Sequence, residues 1–392
     1  MRLATVLFFL FVFFLYADVD PRFAVSEKCR TCHEKIVSEW KTSWHSKSHF
    51  SKDELYKKTL VYMSKKLHKN VIELEVKCAQ CHNPRVGEKK IDVSDMFVTG
   101  FGIEAKDIKK SFEQGFVKDG VNCIVCHNIE KIKESQDPAQ RGYKAIVWGP
   151  SDTMVGPFAD ARSPYHKTKQ GEHFLNPNRL CFVCHYNGRN IYGKIIYSTG
   201  MEYEESGSKK KCVDCHMSEK HDGRLTEKKF DGYDINIRKI RSHLFMGARN
   251  GDILNNALKV GTEKKEDLIF ITLQNLTPHK VPTGFGSREV VLEAVFLLEN
   301  GLKKSVSEIF GVEYRDKRDR ETIPHLAVKI EDDSRLNPYE TRKFSLKIPA
   351  GSESVKINLY YKLIGEKLAK KLELNEEIFL KRYNIFSAEM KF

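Results

Sequence analysis

The stretch Gly120-Val-Asn-Cys123-Ile-Val-Cys126-His127 contains the five-residue unit that decides how this chain folds. The unit is Cys-x-x-Cys-His. It recurs as Cys29-Arg-Thr-Cys32-His33, Cys78-Ala-Gln-Cys81-His82, Cys181-Phe-Val-Cys184-His185 and Cys212-Val-Asp-Cys215-His216. Together the copies use all 10 cysteines of the 392-residue chain. A disulfide framework suits short secreted chains and requires no histidine after each second cysteine. Zinc ribbons consume such pairs two at a time, and five is an odd number. A thioredoxin-like pair occurs once, beside a βαβ pattern. What remains is covalent haem. Two thiols add to the two vinyl groups of one macrocycle, and the imidazole that follows is directed at the iron as proximal ligand. The sequence therefore predicts five haem c groups. Cys29, Cys32, Cys78, Cys81, Cys123, Cys126, Cys181, Cys184, Cys212 and Cys215 attach them, and His33, His82, His127, His185 and His216 are the proximal ligands.

Haem also accounts for the composition. Hydrophobic residues are 41% and charged residues 30%, which excludes a polytopic membrane protein and a wholly disordered chain. Five macrocycles supply apolar bulk that this modest share of side chains leaves unfilled. The net charge of +13 would ordinarily raise nucleic acid or anionic membrane as partners. Here about ten haem propionates answer much of it locally. With no RNP, zinc-finger or helix-turn-helix signature, nucleic acid is not expected as a partner. At the start, Met1-Arg2, the apolar run Leu3 to Ala17 and Asp18-Val-Asp20 read as a secretory signal peptide over 1–17,. The run is shorter than the roughly 20 residues of a spanning helix, and no later segment is long and apolar enough to span. The expected location is periplasmic or extracellular.

The second axial position is the next question. Of the 14 histidines, those outside the motifs are His45, His49, His68, His166, His173, His221, His243, His279 and His325. The surplus allows two histidines on each iron. Several stretches resemble the multihaem cytochromes of the cytochrome c554 and hydroxylamine-oxidoreductase-related group. Trp40-Lys-Thr-Ser43-Trp-His45 is similar to that group's WxxSxH element, and Gly120-Val-Asn-Cys123 to its GVxCxxCH. Gly156-Pro157-Phe158 running to Ser163-Pro164-Tyr165-His166 resembles the stretch that supplies a distal histidine. Cys215-His216-Met217 resembles CxxCHM, and Arg241-Ser-His243-Leu-Phe245-Met-Gly247 resembles HxFxG. The resemblance implies His45, His166 and His243 as distal ligands. His49 lies four residues after His45, on the same face if this stretch is helical, and is a further candidate. His173, eight residues before Cys181, is near enough to reach a neighbouring haem. His68, His221 and His325 read as surface residues in charged surroundings. Met217 and Met246 are the alternative ligands, of a kind that raises the potential.

The chain changes character near residue 250. Residues 18–250 hold every motif at unequal spacings, which argues against a tandem solenoid. They are expected to form an α-helical and irregular multihaem domain, with Glu54 to Lys66 as a helix. Beyond it, Leu268 to Leu273 and Val290 to Leu298 are strand candidates, and Asn300-Gly301 is a hairpin signal. Phe344, Leu346 and Ile348 alternate, as do Val355, Ile357, Leu359 and Tyr361, with Pro349 to Gly351 between. This predicts an antiparallel β-sandwich domain over 262–364, followed by a C-terminal helical tail over 365–392. Asn275-Leu-Thr-Pro278-His279-Lys-Val-Pro282-Thr-Gly284 resembles the GHxxPTG element of the C-terminal domains of such cytochromes, with Pro278 in place of glycine. Arg288 and the stretch Asp333 to Glu340 match two further elements of that domain. The resemblance makes His279 another candidate distal ligand.

Closely packed haems exchange electrons, and an iron with both axial positions filled by protein binds no substrate. The leading expectation is therefore an electron-transfer cytochrome rather than an enzyme. Its partners would be redox proteins such as other cytochromes, or further copies of itself in an oligomer or filament. The alternative is an oxidoreductase acting on nitrite or hydroxylamine at one open haem. Pentahaem nitrite reductases commonly carry Cys-x-x-Cys-Lys at that haem, and this chain has none.

Overall fold

The computed structural model describes residues 20–88 and 106–392, so the expected signal peptide over 1–17 lies outside the described residues. The attachment motifs sit on short helices for a geometric reason: positions i, i+3 and i+4 share one helix face. A helix therefore presents two thiols and an imidazole to the same side. Val71–His82, Cys123–His127, Pro177–His185 and Cys212–His216 each end on the motif histidine, and Ser26–Arg30 carries Cys29. Their starts are fixed locally. Asn70 Oδ1 accepts from Ile72 N and Asn122 Oδ1 from Val125 N, while Pro177 opens its helix,. The expected helix is present as Glu54–Leu67, capped by Asp53, with Tyr56, Thr59, Leu60 and Met63 buried.

Between these helices run two-stranded ribbons. Ile129–Ile132 pairs with Ile146–Trp148, Gly188–Arg189 with Ile195–Tyr197, and His221–Gly223 with Arg238–Ile240; Thr153–Gly156 lies parallel to Lys167–Gln170. Among the described residues the apolar clusters of this half are small. One gathers Val76, Ala79, Val86, Ile108, Phe112 and Val117, another Ile129, Ile132, Ala145, Ile146 and Val183. Gly120 fixes one close approach. Its φ is +66°, and a Cβ there would meet the His45 carbonyl at 2.5 Å, so a side chain would be excluded both by backbone conformation and by space.

The helix Gly251–Ala257 leads into the β part. One sheet has the order Thr341–Lys347, Leu268–Asn275, Leu258–Lys265. The other has the order Lys303–Phe310, Glu289–Leu298, Ser352–Lys362, Tyr383–Lys391, and every pair in both is antiparallel. Side chains of period two fill the space between the sheets. Ile269, Ile271 and Leu273 from the first meet a second layer that includes Phe296, Ile357 and Leu359, all fully buried. Each such side chain contributes roughly 1.5–3 kcal/mol. Asn300-Gly301 makes the hairpin between Glu289–Leu298 and Lys303–Phe310, with Gly301 at φ 78°. The turn at Pro349 to Gly351 instead carries the chain from one sheet to the other.

The C-terminal helical tail expected over 365–392 is corrected. Only Glu366–Lys371 and Glu377–Leu380 are helical, and Tyr383–Lys391 is a strand paired with Ser352–Lys362. Glu373 turns the chain at φ 55°, and the Glu54 carboxylate accepts from Asn375 N and Glu376 N. Beyond that break, Tyr383, Ile385 and Met390 lie against the sandwich core. An open sheet edge offering a row of backbone partners outweighs the weak helical preference of this segment.

The two halves meet at Glu202, which is 2% exposed. Its carboxylate accepts from Arg335 Nη1 at 3.0 Å, Lys280 N at 3.1 Å, Thr283 Oγ1 at 2.6 Å and Ser198 Oγ at 2.8 Å. Removing one member of a buried ion pair costs roughly 3–5 kcal/mol. Asp333 also holds Arg335, so Glu202→Ala is expected to cost about 3 kcal/mol, read as a fall in the urea midpoint. An unchanged midpoint would mean that this cluster does not join the halves.

Candidate haem sites

All ten cysteines and five motif histidines line one connected cavity of about 2940 Å³. That is several times the roughly 300–1,000 Å³ of an ordinary ligand pocket. None of the ten cysteines is in a disulfide. Their thiols meet in pairs from different motifs: Cys29 with Cys123, Cys81 with Cys184, and Cys181 with Cys212. Cys126 lies near Cys181 and Cys184 as well. The fourth motif thus borders the second, third and fifth, and the first borders the third.

The motif imidazoles are oriented through Nδ1. His33 donates to the Leu225 carbonyl at 2.7 Å, His127 to that of Val155 at 2.8 Å and His216 to that of Met246 at 2.6 Å. A carbonyl can only accept, so each ring carries its proton on Nδ1 and presents a bare Nε2. This is the outer-shell arrangement of a metal-ligating histidine. His82 Nδ1 lies 3.2 Å from Ser48 Oγ, and its ring stacks on Tyr56 with centroids 4.4 Å apart.

Five other histidines line the same cavity: His45, His166, His243, His279 and His325. Three stand opposite a motif histidine. Ring centroids are 6.1 Å apart for His45 and His185, 6.2 Å for His243 and His127, and 6.4 Å for His279 and His216. An imidazole nitrogen binds a transition metal at about 2 Å, and its ring centre lies about 1 Å further, so two imidazoles on one metal have centres about 6 Å apart. The three pairs are spaced for an iron between them. Phe245 packs edge-on against both His45 and His243, and Phe174 stacks on His127. His166 and His279 each use Nδ1 on the next residue's carbonyl, Lys167 O and Lys280 O. His166 lies within electrostatic reach of His33 and against Phe23.

Burial holds these rings neutral. His45 is pushed down to about 3, and His185, His243 and His325 to about 4, in each case first by loss of solvent and then by neighbouring imidazoles or Arg288. Neutral imidazole is the form that binds metal. Cavity, thiols and bare nitrogens fit covalent haem.

His49 is placed otherwise than expected. The structure puts it outside the cavity lining, and both ring nitrogens are engaged. Nε2 donates to the Phe112 carbonyl at 3.1 Å, while Nδ1 accepts from Ser51 N at 3.1 Å. This is the tautomer opposite to that of His33, His127 and His216, with no lone pair left for iron. Its neighbourhood is not an α-helix. His45–Lys47 is a 3-10 turn, and the chain then swings away, so the four-residue spacing carries no shared face. His173 is buried against Phe174 and lies outside the lining too. His325, read as a surface residue, lines the cavity. One signal was available: it follows Pro324, as His279 follows Pro278.

Residues 28–128 match the family described as cytochrome c554 and c-prime. No curated protein matches the chain. Among solved structures, a penta-heme cytochrome c552 from Thermochromatium tepidum is similar over 94% of this chain and 98% of its own, with a TM-score of 0.70 and 21% identity. That shows a shared fold. A superoxide reductase in the oxidised state covers 35% of this chain and 86% of its own at 12% identity, but its TM-score of 0.17 carries no argument. Among the described residues no helix is long and apolar enough to cross a membrane.

Proposed function

We propose that the chain, which is similar over residues 28–128 to the cytochrome c554 family and in fold to a penta-heme cytochrome c552, is a multihaem c-type cytochrome that transfers electrons through five covalently attached haems. In this reading the ten motif cysteines hold the macrocycles, and His33, His82, His127, His185 and His216 are the proximal ligands. His45, His166, His243 and His279 are distal ligands for the fourth, first, third and fifth motifs. The observation that carries the reading is the spacing of three histidine pairs at 6.1–6.4 Å across the cavity. At those four sites haem so held would supply a one-electron carrier with no vacant metal position. The side chains around it orient the imidazoles and keep them neutral.

The thiol contacts support a branched arrangement of the attachment sites, with the fourth motif at the junction. Its partners are redox proteins, other cytochromes among them, and the segment 1–17 directs it to the periplasm or the cell exterior. The purified protein should be fully reduced by dithionite and reoxidised by small redox dyes in several overlapping steps. With nitrite or hydroxylamine it should show negligible turnover. Turnover that scales with protein and is abolished by cyanide would overturn the reading.

A further inference from the structure

The second attachment site is the one to which the foregoing set gives no distal ligand. Resting on the electron-transfer reading, we propose that His325, from the β-sandwich half, is the distal ligand opposite His82.

Of the ten histidines that line the cavity, five belong to the motifs and four more go with His33, His127, His185 and His216. His325 and His82 are the two that remain. The histidine whose charge reaches His325 is His82. His325 Nδ1 is buried with no hydrogen-bond partner. A buried polar atom in that condition calls for an explanation, and ligation of the metal through Nδ1 itself would supply one.

The turn that carries His325 is built to hold position. Pro324–Leu326 is a single 3-10 turn. On the sandwich side it is flanked by Ile323 and Ala327, both at 0% exposure. On the cavity side Asn190 Nδ2 donates to the carbonyls of Pro324 and Ala327, each at 2.8 Å. Asn190 therefore clamps the carbonyls on either side of His325 to the haem-bearing half. The ring itself packs against Phe285 with centroids 5.9 Å apart. On the opposite side His82 is held by Ser48 and by its stack on Tyr56. Both imidazoles are thus oriented by neighbours that leave one ring nitrogen for the metal, Nε2 of His82 and Nδ1 of His325. His49, the competing candidate from sequence, has neither nitrogen available.

The inference gives the β-sandwich a second role. Through His279 and His325 it closes two irons, at the fifth and second motifs, and both motifs border the fourth.

The test uses the full-length haem-loaded protein. His325→Ala should keep five haems by intact mass, while one ferric iron in five becomes high-spin. Carbon monoxide bound to the reduced protein should rise from none to one per chain, and added imidazole should reverse both changes. His325→Met should retain a six-coordinate iron and move one of the five reduction potentials upward, since methionine ligation raises the potential. His49→Gln should change neither spin state nor carbon monoxide binding. An alanine variant that stays low-spin and inert to carbon monoxide with five haems attached overturns the proposal. So does a methionine variant whose five potentials are unchanged, which keeps the test decisive if the alanine variant fails to accumulate. The electron-transfer reading fails separately, through a haem count below five or nitrite turnover by the wild type.

Discussion

Expressed where haem cannot be attached, the chain should lose residues 20–250 to limited proteolysis while a fragment spanning 258–391 survives. The reason is where the apolar core sits. The sandwich has a continuous interior, with Ile269, Ile271, Leu273, Phe296, Ile357 and Leu359 fully buried. The other half has small clusters around a cavity of about 2940 Å³. At about 24 cal/mol per Å³, a void of that size corresponds to tens of kcal/mol. Water entering its open parts lowers the figure. A tenth of it is still comparable with the roughly 5–15 kcal/mol that hold a domain together. Four buried residues of the first half, Tyr56, Leu60, Met63 and Leu74, join the sandwich core, and partly buried ones such as Trp44 and Phe50 pack against it, so the surviving fragment should be less stable than the intact protein but still folded. Mass spectrometry of the digest reads the boundary directly. Equal resistance of both halves without haem would show that the cavity collapses onto a side-chain core of its own.

The second large effect is expected at His243. His243→Ala should convert one iron from closed to open, raising carbon monoxide bound to the reduced protein from none to one per chain with five haems retained. In the proposed ligation His127 would stay on the other side of that iron, and thioethers at Cys123 and Cys126 would not depend on the distal ligand. The local fold should survive, because the contact that anchors this residue is made by its backbone. His243 N donates to Glu39 Oε2 at 2.8 Å, and alanine keeps that bond. Phe245 continues to pack against His45. If the variant remains inert to carbon monoxide, the 6.2 Å spacing between His127 and His243 is fortuitous.

What could be read from sequence was what local rules determine. Cys-x-x-Cys-His is a chemical unit five residues long, and in four of its five copies the histidine ends a helix that puts the thiols and imidazole on one face. The alternation through Leu268 and through Val355 to Tyr361 is a period-two signal that survives without tertiary context. The structure departs from sequence expectations where tertiary context enters. His49 was read on helical spacing in a stretch that folds as a 3-10 turn. His325 was judged by charged neighbours in sequence, whereas its position is set by Asn190, far away along the chain. The strand Tyr383–Lys391 lies behind a segment rich in Glu, Lys and Leu, and only the free edge of Ser352–Lys362 turns it into a strand.

The clamp of Asn190 on the Pro324 and Ala327 carbonyls has a consequence for maturation. Translation delivers the attachment cysteines first and the sandwich last. The side chains that would close the second and fifth sites, His325 and His279, therefore belong to the segment made after every motif has emerged. Until the sandwich folds and docks, those two sites stay accessible to whatever loads them. Docking then uses Asn190 and Glu202, and both belong to the half that carries the attachment motifs. If haem organises that half as proposed, the last-made domain would engage a first half that is already loaded, and the order of the chain would double as an inspection step.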